Sequence, residues 1–369
     1  MGDIATLTKG SGISKDQRSA TGTPCILYGE LYTTYKSEVI DYVVSKTDIS
    51  DKNLVRSCAN DIIIPSSGET AIDISTARCV LSPDVLLGGD LNIIRLKDGD
   101  GRFFSYQLNG VRKHDIAKIA QGVSVVHLYG ESIKGLTVSF PSNKEQQKIS
   151  TLLSLIDERI ATQSKLIEDL KKLKSAIIEI EYTRNTKTTS PIGDVIEQIS
   201  KRNKNNAIQN VLSVSNRQGF IKQSDQFENR NVASEDTSNY KIVEQNDFAF
   251  NPARINVGSI ARLTTFEKGI VSPMYVCFRT QENVAPEYID YFFESKHFYC
   301  EIQKRLEGSV RQCLSFEGLC NIPLSLPSFE IQQRIGKRIF TLRQKIKMET
   351  DLLELLNKQK QYLLRQMFI

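Results

Sequence analysis

The second half of this chain repeats the first at an offset of 186 residues. A Pro-Ser pair that precedes Gln-Gln, a basic residue and isoleucine occurs at residues 141–149 and again at 327–335. Upstream, the Asn-Asp pair at residues 60–61 recurs at residues 246–247. This period excludes a solenoid, in which one repeat has roughly 20–50 residues. The chain is therefore a duplicated unit, and each copy consists of an α/β module followed by a helical segment.

Each copy ends in a segment whose apolar residues occupy the a and d positions of a heptad repeat. The pattern predicts one long helix per copy, with these residues in a buried seam. The predicted seam residues are Ile149, Leu153, Ile156, Ile160, Ile167, Leu170 and Ile177 in the first copy, and Ile335, Ile339, Leu342, Ile346, Leu353, Leu356 and Leu363 in the second. Both seams are interrupted at equivalent positions, by Gln163 and Lys174 in the first and by Glu349 and Lys360 in the second.

The Pro-Ser pairs are expected to start the two helices, with the serine as N-cap and Glu145 completing a capping box in the first copy. The first helix would then have roughly 40 residues and a length of about 60 Å. A helix this long with one apolar stripe must bury the stripe against an element of similar length. The other helix is the only such element in the sequence, which predicts that the two helices pair.

The position of a whole module between the two helices favours an antiparallel coiled coil with a pseudo-two-fold axis. If the axis passes between the seam interruptions, Lys174 would face Glu349 and Gln163 would face Lys360. The predicted fold class is α+β, with two inverted α/β modules joined by the two helices. The expected bounds are 1–141 for module 1, 142–185 for the first helix, 186–327 for module 2 and 328–369 for the second helix.

Composition suits an ordinary globular protein that does not span a membrane. The chain has 369 residues and is 40% hydrophobic, but it contains no run of roughly 18 apolar residues. Its N-terminus lacks the layout of a signal peptide, so a cytoplasmic protein is expected. Seven cysteines, an odd number without a Cys-x-x-Cys pair, indicate reduced and mostly buried thiols rather than disulfides or a zinc ribbon.

Catalytic motifs are hard to find in this sequence. Three scattered histidines do not predict a metal cluster or a catalytic triad, and there is no P-loop. The Gly-x-Gly at residues 10–12 lacks a third glycine and a preceding strand. Residues 251–254, Asn-Pro-Ala-Arg, begin like the Asn-Pro-Pro-aromatic loop of amino-methyltransferases but lack its second proline and its aromatic residue. We therefore predict no catalytic residue and no metal site.

The net charge of +5 is too small to indicate a polyanionic partner by itself. The basic side chains, however, are clustered with amides and hydroxyls in three segments predicted as loops, at residues 9–18, 102–113 and 201–206. Such mixtures suit contacts with phosphates and base edges. An ordinary solvated loop is the alternative for each of these segments.

Several segments resemble the specificity subunit of type I restriction-modification systems, and the resemblance covers essentially the whole chain. The tripeptides Gly2-Asp3-Ile4 and Gly193-Asp194-Val195 look like the start of its target-recognition domains. Residues 24–32 look like a segment that is frequent in such domains. The two helix starts at residues 141–149 and 327–335 resemble the helix starts of the family, and their occurrence twice in one chain makes the resemblance specific.

The resemblance implies a non-catalytic DNA-binding subunit without a cofactor of its own. It would assemble with two modification subunits, which are methyltransferases that carry S-adenosylmethionine, and with restriction subunits that translocate DNA and use ATP and Mg²⁺. Each module would recognise one half of a split, asymmetric target in double-stranded DNA. The two helices would set the gap between the half-sites and dock the modification subunits.

Under this interpretation, the DNA contacts should come from loop residues that can meet phosphates or bases. The candidates in module 1 are Lys9, Lys15, Tyr28, Ser66, Ser67 and Arg102, and those in module 2 are Lys201, Arg202, Asn216, Arg217, Arg254 and Arg311. Two other functions stay open from the residues alone. One is a protein-interaction scaffold with the coiled coil as spacer, and the other is a stand-alone regulator that binds a bipartite operator.

Overall fold

The structure is a computed structural model, and it describes residues 1–50, 53–183, 189–216, 218–226, 236–308 and 312–368. The chain forms two compact units. Unit 1 comprises Met1–Lys165 and Thr350–Ile369, and unit 2 comprises Leu166–Glu349. Each unit therefore contains one module and a part of both long helices. No helix within the described ranges is long and apolar enough to cross a membrane.

Module 1 consists of short strands and short helices, and it leads into the first long helix. Its strands are β1 (Ala5–Lys9), β2 (Thr23–Ile26), β3 (Val39–Ile40), β4 (Lys46–Thr47), β5 (Asp61–Pro65), β6 (Ser67–Gly68), β7 (Arg78–Val80), β8 (Leu86–Leu87), β9 (Leu91–Leu96) and β10 (Val126–His127). Its helices are α1 (Glu30–Thr33), α2 (Ala71–Ile74), α3 (Gly101–Asn109), α4 (Lys113–Ile119) and α5 (Gly130–Lys134), and the long helix is α6 (Asn143–Thr183).

Module 2 also consists of short strands and short helices, and it leads into the second long helix. Its strands are β11 (Thr189–Pro191), β12 (Ile196–Ile199), β13 (Val211–Ser215), β14 (Gly219–Lys222), β15 (Lys241–Glu244), β16 (Phe248–Phe250), β17 (Ile260–Arg262), β18 (Lys268–Val271), β19 (Val276–Thr280) and β20 (Pro323–Ser325). Its helices are α7 (Gln223–Gln226), α8 (Pro286–Phe292), α9 (Lys296–Gln303) and α10 (Phe316–Cys320), and the second long helix is α11 (Phe329–Gln366).

The duplication is visible in the sheets. The main sheet of module 1 has the order β1-β9-β5-β7-β3, and one sheet of module 2 has the order β12-β19-β16-β17. The antiparallel core β1-β9-β5 thus corresponds to β12-β19-β16. A fourth strand is also antiparallel to the third in both modules, β7 beside β5 and β17 beside β16. The other strands differ: module 1 adds β3 and the sheets β4-β2-β8 and β10-β6, whereas module 2 adds the sheets β14-β13-β18-β15 and β11-β20. The fold class is therefore mixed α and β with an internal repeat, as predicted.

The repeated Asn-Asp pairs are a structural device of the central strands. Asn60 and Asn246 both have a positive φ, of 77° and 72°, at the turn before β5 and β16. Asparagine tolerates this left-handed conformation better than most residues. The aspartate that follows accepts two hydrogen bonds from an arginine on the neighbouring strand, at 2.8 and 2.7 Å in module 1 and at 3.0 and 3.1 Å in module 2.

The long helices bury their apolar stripes partly in the cores of the modules. In unit 1, Leu153 and Leu364 belong to the cluster that contains the aromatic residues of α3. In unit 2, Ile178 and Ile339 belong to the cluster around Phe248. Every predicted seam residue is buried or half-buried. In each unit, the segments of α6 and α11 run antiparallel, as predicted, but the module supplies much of the surface that covers them.

The repeated Gln-Gln motif fixes the start of each long helix to its module. The first glutamine of each pair, Gln146 or Gln332, is buried. Its side-chain amide donates to the carbonyl of Pro141 or Pro327, in both cases at 2.9 Å. Its side-chain oxygen accepts from the backbone N–H of the N-cap residue of α3 or α8, at 3.0 and 2.9 Å. The same two contacts therefore join helix and module in both copies.

The capping box predicted for the first helix is not formed. The helices begin at Asn143 and Phe329, one residue after the predicted serines. Glu145, however, forms an ion pair with Lys148 at 3.3 Å instead of bonding back to Ser142. The buried Gln146 makes the contacts that anchor the first turn, which is why the motif repeats glutamine and not glutamate.

The seam lysines find their charge partners elsewhere than predicted. Lys360 forms ion pairs with Asp157 of α6 and with Glu38 of module 1, each at 2.5 Å. Lys174 forms an ion pair at 2.5 Å with Glu294 of module 2, and not with Glu349. The physical reason is that a lysine side chain is long enough to reach carboxylates that the adjacent module presents to the helix.

The cluster around Lys360 is buried and strongly electrostatic. Burial alone would lower the pKa of Lys360, but the two carboxylates raise it above its usual value. Burial raises the pKa of Glu38, and Lys360 partly offsets this effect. Tyr106 donates a hydrogen bond of 2.8 Å to Asp157, so the acid has a second partner. Lys360 is therefore the group that keeps two buried carboxylates compensated.

A cluster with a different charge pattern occupies the equivalent place in unit 2. The position 186 residues after Asp157 holds Arg343, which forms ion pairs with Asp290 and Glu294. Arg343 also lies 4.6 Å above the ring of Tyr291. Burial raises the pKa of Asp290, and the arginines around it partly offset this shift. At the same repeat position, α6 thus presents an acid to module 1 and α11 presents a base to module 2.

The cysteines are free, but fewer are buried than the sequence suggested. Cys25, Cys79 and Cys277 are buried, whereas Cys58 and Cys300 are exposed and the other two are half-buried. Burial raises the pKa of the Cys25 thiol to about 11 and that of Cys277 to about 12, which keeps both thiols protonated at neutral pH.

Replacement of Gln146 by leucine should lower the free energy of unfolding by about 1–3 kcal/mol, because the buried N–H of Asp100 and the partly buried carbonyl of Pro141 lose their partner. Gln147→Leu is the matched control, since Gln147 is exposed on the same helical turn. Urea-induced unfolding of both variants measures the difference. Equal stability of the two variants would contradict the anchoring role of Gln146.

Replacement of Lys360 by methionine should lower the free energy of unfolding by about 3–5 kcal/mol, because the buried Glu38 and Asp157 then lose the cation that bonds to both. Lys358→Met, at an exposed position on the same helix, should leave stability nearly unchanged. Thermal and urea unfolding at pH 7 compare the two. If Lys360→Met is as stable as Lys358→Met, the cluster does not hold the helix to the module.

Candidate nucleic-acid interface

A cleft of about 1190 Å³ opens on the surface of module 1. It is lined by the loop after β1, by residues between 27 and 34, and by the turn at residues 88–90. The loop is fixed to the sheet because Gly10 and Ser11 donate backbone hydrogen bonds of 3.0 Å to Leu91 and Leu87. A Cβ at Gly10 would lie 1.9 Å from a backbone oxygen, so this close approach requires glycine.

The cleft brings together two residues that the sequence singled out. Lys15 and Tyr28 both line it, although they belong to different segments of the chain. Arg18 and Asp90 line it as well, and the candidate set did not include them. The Arg18 guanidinium lies 3.7 Å from the buried carboxylate of Glu30 and stays partly exposed. The cleft therefore offers cations for phosphates beside groups that can bond to base edges.

Ser66 and Ser67 lie beside this cleft. The Ser66 N–H donates to the carbonyl of Asp90 at 2.8 Å, and the Ser66 carbonyl accepts from Leu128 at 2.9 Å. Ser66 is buried, so its backbone holds neighbouring segments together. Ser67 is half-buried and pairs with His127 across β6 and β10. Of the two serines, Ser67 is the better placed for an outside contact.

The other two candidates of module 1 lie in different surroundings. Lys9 ends β1 and is exposed immediately before the cleft loop. Arg102 lies at the start of α3 and binds Asp100 through two side-chain hydrogen bonds of 3.1 and 2.8 Å. Burial raises the pKa of Asp100, but hydrogen bonds from Arg102 and Ser150 of α6 more than offset it and hold this pKa below its usual value. The contacts of Arg102 thus belong to the junction between module 1 and α6.

Module 2 brings together only some of its candidates. Arg217 and Arg311 lie outside the described residues. Asn216 and the loop that contains Arg254 are neighbours, because a Cβ at Gly258 would lie 3.8 Å from that of Asn216. Both Asn216 and Arg254 are exposed. These two positions form the best-defined polar surface of module 2 among the sequence candidates.

Lys201 and Arg202 lie away from that surface. Arg202 pairs with Lys241 of β15 and donates a hydrogen bond of 2.9 Å to Asn239. In the sheet β14-β13-β18-β15, β15 is an edge strand, and Asn216 directly follows β13, two strands away. Two strand spacings correspond to roughly 10 Å. A ligand that contacts both groups of residues would therefore have to extend across the sheet.

Two features of the surface were not foreseen. The first is the hairpin at residues 121–127, in which Gln121 and His127 are paired and the tip carries exposed valines. The sequence alone did not indicate that this tip is exposed. The second is the participation of Arg18 and Asp90 in the cleft. Within the described residues, there is no cluster of histidine, cysteine and acidic side chains that could hold a metal ion.

Comparison with known families identifies the class of protein. The chain matches the family described as the type I restriction modification DNA specificity domain twice, over residues 1–172 and 185–358. The chain therefore belongs to this family. Its members are non-catalytic specificity subunits, and membership gives the chain a role in DNA sequence specificity. A comparison with curated proteins gives no match.

Solved structures share the fold. The specificity subunit of a type I restriction-modification system from M. genitalium is 18% identical, with a TM-score of 0.63, over 100% of this chain and 94% of that one. A chain from a structure of a type I restriction-modification system, solved to explain complex assembly and conformational transition, is 12% identical. Its TM-score is 0.55, over 98% of this chain and 95% of that chain.

Proposed function

We propose that this chain is the subunit that selects the DNA sequence for a type I restriction-modification complex. Each module binds one half of a bipartite, asymmetric target in double-stranded DNA. The helices α6 and α11 set the gap between the half-sites and dock two modification subunits. S-adenosylmethionine belongs to those subunits, and ATP and Mg²⁺ belong to the restriction subunits. Such a complex would act on DNA in the cytoplasm.

One observation carries the proposal: the two modules share the same arrangement of strands and helix starts, but they expose different polar side chains. The strands β1-β9-β5 and β12-β19-β16 have the same order, and the helix starts use the same glutamine contacts. The surfaces on this frame differ, because module 1 has a cleft with Lys15 and Tyr28 whereas module 2 exposes Asn216 and Arg254. Two modules that hold different side chains on one frame suit two different half-sites.

In module 1, we assign Lys15 and Arg18 to phosphate contacts and Tyr28, Ser67 and Asp90 to the base edges. The two cations carry exposed charge at the mouth of the cleft, where a DNA backbone could approach them. Tyrosine, serine and aspartate offer the donors and acceptors that base edges require. Ser66 supports this surface through its backbone, and Lys9 extends the positive charge along it.

Exposed apolar residues on the long helices favour the binding of a protein partner there. Large apolar side chains are exposed at seven-residue intervals at Leu166, Leu173 and Ile180 in unit 2, while Leu355 and Tyr362 are exposed at such an interval in unit 1. Contiguous exposed apolar surface usually marks an interaction site. We assign these faces to the modification subunits, since the module cores already cover the opposite stripe.

Selection of duplexes from a random pool tests the proposed function. The full chain, alone and with a candidate modification subunit, should enrich a bipartite motif with a fixed unspecified gap. It should also co-purify with the modification subunit. Enrichment without co-purification would favour a stand-alone regulator. No enrichment at low or moderate salt would contradict DNA recognition and favour a protein-interaction scaffold.

Two variants of module 1 should separate DNA binding from stability. Lys15→Ala should weaken binding to all duplexes and reduce the slope of log affinity against log salt by about 0.9, since one phosphate contact is lost. The free energy of unfolding of Lys15→Ala should equal that of the unmodified chain. Arg102→Ala should keep this slope but lose about 1.5–3 kcal/mol of stability at pH 7, because Asp100 loses its charged partner.

The pH dependence of Arg102→Ala gives a second check. Because the folded-state pKa of Asp100 lies below its usual value, the stabilisation is present above about pH 4 and is lost as pH falls through the folded-state pKa. The stability difference between Arg102→Ala and the unmodified chain should therefore shrink in acid. If Arg102→Ala instead reduced the slope of log affinity against log salt, Arg102 would contact DNA after all.

A further inference from the structure

The hairpin at residues 121–127 has a rigid frame and an exposed apolar tip. Gln121 and His127 exchange two backbone hydrogen bonds of 2.9 and 2.7 Å. Gly122 has a φ of 122°, and a Cβ at this position would lie 2.1 Å from the carbonyl oxygen of Val125. The turn therefore requires glycine. At the tip, Val123 is 97% exposed and Val125 is 53% exposed.

The hairpin is anchored beside the cleft of module 1. His127 in β10 pairs with Ser67 in β6, and the Leu128 N–H donates to the carbonyl of Ser66 at 2.9 Å. Ser66 in turn donates to the carbonyl of Asp90, which lines the cleft. A short series of backbone hydrogen bonds thus connects the cleft with the base of the hairpin. A duplex bound along the cleft would pass close to the tip.

The frame of this hairpin occurs again in module 2. Glu307 and Cys313 exchange backbone hydrogen bonds of 2.9 and 2.8 Å, and Gly308 has a φ of 104°. The Leu314 N–H donates to the carbonyl of Pro252 at 3.1 Å, which corresponds to the contact between Leu128 and Ser66. Each of these residues follows its counterpart in module 1 by 186 positions.

The residues carried by the two frames are unlike. Residues 123–126 are Val-Ser-Val-Val, whereas residues 309–312 are Ser-Val-Arg-Gln. A turn that served only to connect two elements would have no reason to keep its frame and expose valines to water in one copy. A fixed frame with a changed sequence between its two ends is what two modules need in order to distinguish different bases.

We propose that the hairpin at residues 121–127 enters the major groove and that Val123 and Val125 select thymine through its 5-methyl group. The proposal rests on the proposed function and names a specificity determinant of module 1. The major groove is about 12 Å wide and admits a two-stranded β-ribbon. Thymine is the base that presents an apolar group there, and small apolar side chains recognise it by contact. Insertion between base steps from the minor groove would instead unstack the duplex.

The test compares Val123→Ser/Val125→Ser with the unmodified full chain in selection from a random duplex pool. The unmodified chain should select one or two thymines in the first half-site. The double variant should lose the preference at those positions and keep the gap, the second half-site and the salt slope. Its affinity for the selected duplex should fall about four-fold for each methyl contact that is lost. Val44→Ser, at a valine of unit 1 that is also exposed, is the control and should change nothing.

A second measurement removes the methyl group from the DNA. When deoxyuridine replaces the selected thymines, the unmodified chain should bind about four-fold more weakly per methyl, whereas the double variant should bind both duplexes equally. Equal binding of both duplexes by the unmodified chain would overturn the methyl contact. A selected motif that is the same for the variant and the unmodified chain would overturn the role of the hairpin alone. If the unmodified chain selects no motif, the proposed function and this inference both fail.

Discussion

Burial of the long helices in the module cores is the constraint on which the rest of the structure depends. A single helix with one apolar stripe gains little stability in water, and most helical stability in proteins comes from packing of that stripe. Here Leu153 and Leu364 pack into the core of unit 1, and Ile178 and Ile339 pack into that of unit 2. The buried glutamine at each helix start then fixes where the helix leaves its module. Helix position and module position are therefore determined together.

The charged clusters make this junction specific to each unit. In unit 1 the cluster consists of one cation from α11 between acids from α6 and the module. In unit 2 an arginine of α11 and a lysine of α6 share Glu294, an acid that comes from the module. Because buried charges without partners are costly, each module fits the helix segments that complement its own charges. The two copies have thus diverged in their junctions as well as in their surfaces.

The sequence predicted the elements that a period can reveal and missed those that depend on tertiary contacts. The heptad pattern located both long helices to within a few residues, and the Asn-Asp repeat marked equivalent strands. The glutamine motif marked both helix starts, but the anchoring role of Gln146 was not predicted, because its partner Asp100 is 46 residues away. The seam lysines were paired within the coiled coil, since Glu38 and Glu294 carry no sequence signal that links them to a helix. For the same reason Lys15 and Tyr28 were chosen without Arg18, although all three line one cleft, and Arg102 was chosen although its contacts are with Asp100.

The division of the chain into units has a consequence for exchange between related genes. Unit 2 is one uninterrupted stretch, Leu166–Glu349, whose ends lie inside α6 and α11. A graft cut at these ends carries Lys174, Glu294 and Arg343 together and leaves the cluster of Lys360 untouched. A graft cut at residues 186 and 327, where the module meets the helices, would separate Glu294 from both of its cations. Recombination that creates new specificities should therefore succeed most often when its crossovers fall within the helices.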